Sequence, residues 1–268
     1  MSERLFPDRD VPGAFTVRFG ATSQSWVDPQ RPDFLAFEYV QHIALLLDHC
    51  ILDAPPERRL RVVHIGGAGM SVPRWVAWRR PGTAQIVCEP DTELTSEVRR
   101  KIPLAPRSGI KVRDVDGRTG LAAMPNDWAD VVIVDAFDGA RVPGELVTRE
   151  ALEQLLRVSR EERVVIFNVT DRAPFEWSKQ LAGGLVEHWP QILVGMEPVV
   201  AKGKRWGNLL LLASAGRVDI RGIERESGRL TLGYRWLSGR EAKAWPGGLS
   251  PALDGAAESS PGPSGRGW

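Results

Sequence analysis

Between residues 60 and 170, short and almost wholly apolar runs alternate with stretches whose apolar positions recur at helical spacing. The pairs are LRVVHI with SVPRWVAWRR, AQIVCE with DTELTSEVRRKI, IKVRDV with a short turn, DVVIVDAF with TREALEQLLRVS, and RVVIFNV with FEWSKQLAGGLVEHW. A run that is apolar at every position has no solvent face. Each therefore reads as a strand covered on both sides, and the series predicts a mainly parallel, doubly wound α/β sheet. Two further runs, ILVGMEPVV and GNLLLLAS, follow with only a Gly/Lys-rich turn between them, which predicts an antiparallel pair closing the sheet edge.

Upstream the period changes. From about 14 to 27, AFTVRFGATSQSWVD alternates apolar and polar positions on either side of a glycine, the pattern of a β-hairpin. RPDFLAFEYVQHIALLLDHCIL then carries an amphipathic helical repeat with Pro32 near its start, and Pro55–Pro56 breaks it. The expected organisation is an N-terminal hairpin and helix over 1–54, a Rossmann-like nucleoside-binding domain over 55–216, and an extension over 217–244. The Gly/Pro/Ser/Ala-rich residues 245–268 lack periodicity and read as a disordered tail.

Composition narrows the function classes. In 268 residues there are 35 basic and 34 acidic side chains, so no field of one sign points to nucleic acid or membrane. The longest apolar runs fall short of the roughly 20 residues that span a bilayer. The N-terminal MSERLFPDRD has no apolar leader core, so a cytoplasmic chain is expected. Cys50 and Cys88 stand alone and read as buried thiols, and the four histidines are scattered, so no metal site is expected. Ten tryptophans are spread along the chain and form no aromatic ladder interleaved with Lys/Arg, unlike a single-strand nucleic-acid groove.

Ligands of open α/β sheets bind at the C-terminal strand ends, and four such ends carry chemistry. In VVHIGGAGMS, Gly66, Gly67 and Gly69 follow the first strand and precede a helix that Ser71 could cap, which lets backbone approach a ligand. Counted from Gly67, Val72 holds the third glycine place of the dinucleotide pattern, which lowers a nicotinamide or flavin reading. Glu89 ends the second strand, 22 residues after Gly67, where an acid accepts from ribose hydroxyls. Asp116, before Gly117, either accepts from an adenine amino group or caps a turn. In VVIVDAFDGARVPGELVT, Asp135 sits at a strand tip and Asp138 on the loop beyond. Together they suit an ammonium group, one of them taking its proton to free the amine lone pair.

The succession HIGGAGM, IVCEP, DVDGR and VIVDAFDGARVPGELVT, closed by GKRWGNLLLLAS, resembles the spermidine synthase (polyamine aminopropyltransferase) family, in particular its bacterial spermidine-synthase-like branch. The resemblance runs from the hairpin near 14 to about 215. It implies a class I methyltransferase-like Rossmann domain behind a small N-terminal β-element, and transfer of an aminopropyl group from decarboxylated S-adenosylmethionine to a small-molecule amine. It assigns Glu89 to the ribose, Asp116 to the adenine, Asp135 to deprotonation of the attacking amine and Asp138 to holding amine groups. The departures lie on the amine side. Gly69 stands where the family's glycine motif has an aspartate, Phe37 and Tyr39 fall on its Tyr-x-Glu, and VVAKGKRW lacks a tyrosine expected before the closing strand. Two alternatives stay open: methyl transfer from S-adenosylmethionine, and a noncatalytic nucleoside-binding interaction protein. The helix FLAFEYVQHIALLL has apolar surface enough for a homodimer or for the core.

Overall fold

The computed structural model describes residues 4–20 and 22–262. An N-terminal antiparallel sheet is formed by β1 (Leu5–Pro7), β2 (Phe15–Phe19) and β3 (Thr22–Val27), in that order. The alternation of residues 14–27 gives β2 and β3. β1 is too short to show a period of its own, and it pairs Leu5 with Val17. Next come α1 (Glu38–Leu47), extended by a π-helical turn at Asp48–Leu52, then β4 (Arg61–Ile65), α2 (Ser71–Arg79), β5 (Ala84–Cys88), α3 (Thr92–Lys101), β6 (Ile110–Arg113), α4 (Gly117–Ala122) and β7 (Ala129–Val134). The chain continues through α5 (Arg149–Val158), β8 (Ser159–Asp171), α6 (Glu176–His188), β9 (Gln191–Met196), α7 (Pro198–Ala201), β10 (Gly207–Ser214), α8 (Ile220–Ser227), β11 (Arg235–Leu237) and α9 (Gly239–Ala244).

The main sheet has the order β11-β9-β10-β8-β7-β4-β5-β6. Strands β8, β7, β4, β5 and β6 are mutually parallel, and β10, β9 and β11 join antiparallel. From β4 the chain steps outward to β5 and β6, then returns to β7 on the other side of β4. The strand order therefore reverses between β4 and β7, and connections leave in opposite directions there, opening a crevice at the C-terminal ends.

Strand periodicity divides the core. Val62, Val131, Ile133, Val164, Ile166, Leu210 and Leu212 pack with apolar residues of α1, α2 and α8. Val63, Ile65, Val132, Val134, Val165 and Phe167 pack with those of α4, α5 and α6. Each such fully buried side chain contributes about 1.5–3 kcal/mol. A third cluster, including Val17, Val27, Met70, Leu94, Val98 and Ile102, seats the N-terminal sheet against α3. Among the described residues no helix is long and apolar enough to cross a membrane.

Two expectations change. The β9–β10 pair is antiparallel but does not form the edge, because β11, from the region with the weakest sequence signal, adds outside β9. Residues 245–262 are not a disordered tail: Trp245 packs near Phe175, and the chain then crosses the domain as a strap. Ala252 O accepts from Arg149 N, Asp254 accepts from Thr148 Oγ1 and Arg118, and Ser260 exchanges hydrogen bonds with Val142. Its order comes from docking onto groups supplied by distant elements, which local periodicity does not register. A Cβ at Gly183 would strike Leu249 O, so the glycine pair of α6 gives the strap its bed. Residues 263–268 of that predicted tail lie outside the described residues.

Two buried histidines set a pH dependence. His42 of α1 bonds Glu38 O and Ser227 Oγ and stacks on Tyr234, while His64 of β4 bonds Gln85. Burial pushes both imidazoles down to about 4, against hydrogen bonds that oppose it. Between an unfolded value near 6.5 and a folded value near 4 only the unfolded chain takes up the protons, so stability is lost as pH falls through that window. The expected loss is about 3 kcal/mol per histidine by pH 4. Thermal midpoints measured from pH 7 to 4 check it, and His42→Phe should flatten part of the slope.

Candidate active site

A cavity of about 370 Å³ occupies the crevice. Its walls come from the β4–α2 loop (Gly66, Gly67, Ala68), the end of β5 (Glu89), the start of α4 (Asp116, Gly117) and the loop after β7 (Asp135 to Gly139). Gln24 and Ser25 of β3 and Tyr39 of α1 complete it. The volume lies within the usual range for small-molecule sites.

One half is built from backbone and carboxylates. Gly66 has φ +91°, and a Cβ there would collide with the Asp135 carbonyl, so only glycine lets the β4 loop lie against the end of β7. Glu89, nearly buried, accepts from Gly67 N (2.9 Å) and Ala68 N (3.1 Å) through Oε2 and from Asp91 N (3.0 Å) through Oε1. It thus fixes the glycine loop while lining the cavity. Asp116 caps α4, accepting from Thr119 N (2.8 Å) and Thr119 Oγ1 (2.7 Å), and these bonds hold its carboxyl below the usual range. The capping alternative is therefore realised, with the residue still on the cavity wall. A Cβ on Gly117 would meet Ile65 and Leu146, so its absence lets α4 begin directly against β4.

Gly69 departs from this arrangement. It is buried under the N-terminal sheet, is not a lining residue, and a Cβ there would lie 2.7 Å from Ser25 Oγ and 2.9 Å from Val27 Cγ2. Its carbonyl is bound by the buried Arg74, which also binds Ile102 O and Pro103 O. Gly69→Asp is therefore expected to overpack β3, costing about 1–3 kcal/mol, without adding a carboxylate to the cavity. Thermal denaturation checks the first part, and a crystal structure of the variant the second. Ser71 does not cap α2, whose N-cap is Met70. Its hydroxyl instead bonds Trp26 O (2.9 Å) and Ser25 Oγ (2.7 Å), tying α2 to β3.

The other half centres on Asp135. Its N–H donates to Ile65 O at 2.9 Å, so the sheet still holds its backbone. Asn168 Nδ2 donates to Asp135 Oδ1 at 2.8 Å, and Asn208 Nδ2 donates to Asn168 Oδ1 at 2.8 Å. Burial raises the Asp135 carboxyl to about 6, partly opposed by the Asn168 bond. Burial, with the Asp135 charge second, raises the Tyr39 phenol well above its usual range. Neither asparagine stands out in the sequence, since each is a single amide at the end of an apolar run. Asp138 is exposed at the cavity mouth, and its backbone pairs with Arg141. Its loop is pinned by Gln24 to Gly139 O (3.0 Å), by Thr170 to Ala140 O (3.1 Å), and by the strap at Val142.

The charge balance of the lining is one-sided. Glu89, Asp91, Asp116, Asp135, Asp138 and Glu145 face the cavity, and no lysine or arginine occurs among its described lining residues. Arg4, outside the lining, pairs with Asp91. Such a wall favours a cationic ligand.

No protein-family model matches the chain. It is 26% identical over 159 residues to the polyamine aminopropyltransferase of Vibrio vulnificus (strain CMCP6), covering 58% of this chain and 51% of that protein. The chain thus spans about half the length of that relative. The crystal structure of a probable spermidine synthase from Corynebacterium glutamicum ATCC 13032 superposes with a TM-score of 0.86 at 25% identity, over 94% of this chain and 92% of that one. Human methyltransferase-like protein 13, solved with SAH, superposes with a TM-score of 0.56 at 20% identity, over 71% of this chain and 92% of that one. The chain is spermidine-synthase-like in sequence and in fold, on a methyltransferase-like Rossmann scaffold.

Proposed function

We propose that the chain is a transferase that moves an aminopropyl group from decarboxylated S-adenosylmethionine to a small-molecule amine, in polyamine metabolism. The likeness to aminopropyltransferases supports the reaction class. The observation that carries it furthest is the cavity itself: an Asp135 carboxyl raised to about 6, in a lining with six carboxylates and no lysine or arginine among its described residues. A sulfonium donor ending in an ammonium group, and an amine acceptor, both suit that lining. Among the described lining residues the carboxylate of S-adenosylmethionine meets no lysine or arginine.

Glu89 binds the ribose and Asp116 the adenine, with Gly66, Gly67 and Gly117 giving room for the nucleoside. Asp135, ionised above pH 6, removes a proton from the acceptor ammonium, and Asp138 holds the amine at the mouth. The amine lone pair attacks the propyl carbon bonded to sulfur. The new N–C bond forms as the C–S bond breaks, its electron pair neutralises the sulfonium, and methylthioadenosine leaves. Preorganisation of the two reactants supplies much of the rate.

Calorimetry separates this reading from methyl transfer. Methylthioadenosine is expected to bind at least about tenfold more tightly than S-adenosylhomocysteine, whose carboxylate meets the acidic wall. The reverse ranking favours methyl transfer and defeats the proposal.

A further inference from the structure

We propose that Asn168 and Asn208 form a positioning relay for Asp135, a file of two amides that holds one carboxylate oxygen and leaves the other facing the cavity. As a device for the base it rests on the aminopropyl-transfer reading. The register makes the file possible. Val134 pairs with Phe167 in the parallel β7–β8 ladder, so Asp135 comes level with Asn168. In the antiparallel β10–β8 ladder Leu210 pairs with Asn168, and Asn208, two residues earlier, lies on the same face at the end nearest the cavity. Three polar side chains thus meet on one face, at one end of three adjacent strands, in runs otherwise apolar.

The file has a direction. Asn168 is fully buried, and an amide turned end for end would set its oxygen against the Asp135 carboxylate while losing the bond from Asn208. The ionised Asp135 carboxylate, which can only accept, therefore selects the orientation in which Asn168 donates, and Asn208 satisfies the Asn168 oxygen that this leaves facing it. A donor on the anion favours the ionised form, offsetting part of the rise that burial imposes. The other titratable groups facing the same cavity are Tyr39 from α1, His64 from β4, Cys88, Glu89 and Asp91 at the end of β5, Asp116 before α4, and Asp138 and Glu145 on the β7–α5 connection. None of these hydrogen-bonds the Asp135 carboxylate among the described residues, and only Asn168 does.

The test uses the full chain with Asn168→Leu and Asn208→Ala. The Asp135 carboxyl is titrated in the free protein by 13C NMR, and methylthioadenosine release from decarboxylated donor and a panel of amines is followed against pH. In Asn168→Leu the carboxyl titration and the acid limb of kcat/KM are both expected to move upward by about one pH unit. At pH 7, kcat is expected to fall about tenfold, about twofold of it from the smaller ionised fraction and the rest from the misplaced carboxylate, with methylthioadenosine affinity unchanged within about twofold. Asn208→Ala should shift both in the same direction by less. Its side chain is only partly buried, so this variant carries the test if Asn168→Leu does not fold. An unchanged Asp135 titration in the folded variants overturns the relay, as does a loss of nucleoside affinity that accounts for the whole loss of turnover. If the titrations shift as expected while the unsubstituted chain releases no methylthioadenosine with any amine, the relay holds Asp135 and the transfer reading is what fails.

Discussion

Asp135→Asn is expected to lower aminopropyl transfer by about a thousandfold in kcat while raising the thermal midpoint of the free protein. The two effects have one cause. The carboxyl is raised from 3.8 to about 6 because its site is desolvated, so the folded state carries an ionised carboxylate there at a cost whenever the pH exceeds 6. A group whose folded value lies above its unfolded one destabilises the fold above that value, and the penalty is relieved as pH falls from about 6 to 4. The penalty at neutral pH is about 1–3 kcal/mol, allowing for the side chain's partial exposure to the cavity. An amide removes it, and its oxygen still accepts from Asn168. It cannot take a proton from an ammonium group, however, so the gain in stability accompanies loss of the base. For the same reason kcat/KM of the unsubstituted chain should fall below pH 6. Thermal denaturation and methylthioadenosine release on one preparation check both. Near-normal turnover in Asp135→Asn would remove Asp135 as base.

Glu89→Gln is the second large effect, expected to weaken methylthioadenosine binding about a hundredfold. Both carboxylate oxygens act as acceptors, one toward Gly67 and Ala68 N–H and the other toward Asp91 N–H. Glutamine offers one acceptor and one NH2 group. Whichever way it turns, a donor faces either the glycine loop or the Asp91 amide, so the loop loses its brace, and the ribose loses the partner proposed for it. Calorimetry with methylthioadenosine measures the loss. Because Glu89 lies away from the proton transfer, donor affinity and KM should move more than kcat at saturating donor.

How far the sequence leads differs by element. The β4, β5 and β7 strands and the second half of β8 announce themselves because burial on both faces leaves them mostly apolar, whereas β6 alternates Ile110 and Val112 with the exposed Lys111 and Arg113 and is covered on one face only. The three residues of β1 and the three of β11 exist as strands only through their partners, and the strap over 249–262 is ordered by side chains from α4, α5 and α6 rather than by any pattern of its own. The same divide runs through the site. Gly66, Gly67, Glu89, Asp116, Gly117, Asp135 and Asp138 face one cavity because a strand end fixes where its next residue goes. Gly69 reads alike in sequence, yet the left-handed turns at Ala68 and Met70 carry it beneath β3. Asn168 and Asn208 lie 40 residues apart and acquire meaning only when β8 and β10 pair.

The most direct test of the account offers the chain both donors, decarboxylated S-adenosylmethionine and S-adenosylmethionine, with a panel of mono- and diamines, and identifies the nucleoside released by mass spectrometry. Methylthioadenosine and an aminopropylated amine are expected from the decarboxylated donor, with the release about a thousandfold slower in Asp135→Asn. Release of S-adenosylhomocysteine from S-adenosylmethionine, with no methylthioadenosine from the decarboxylated donor, would contradict it.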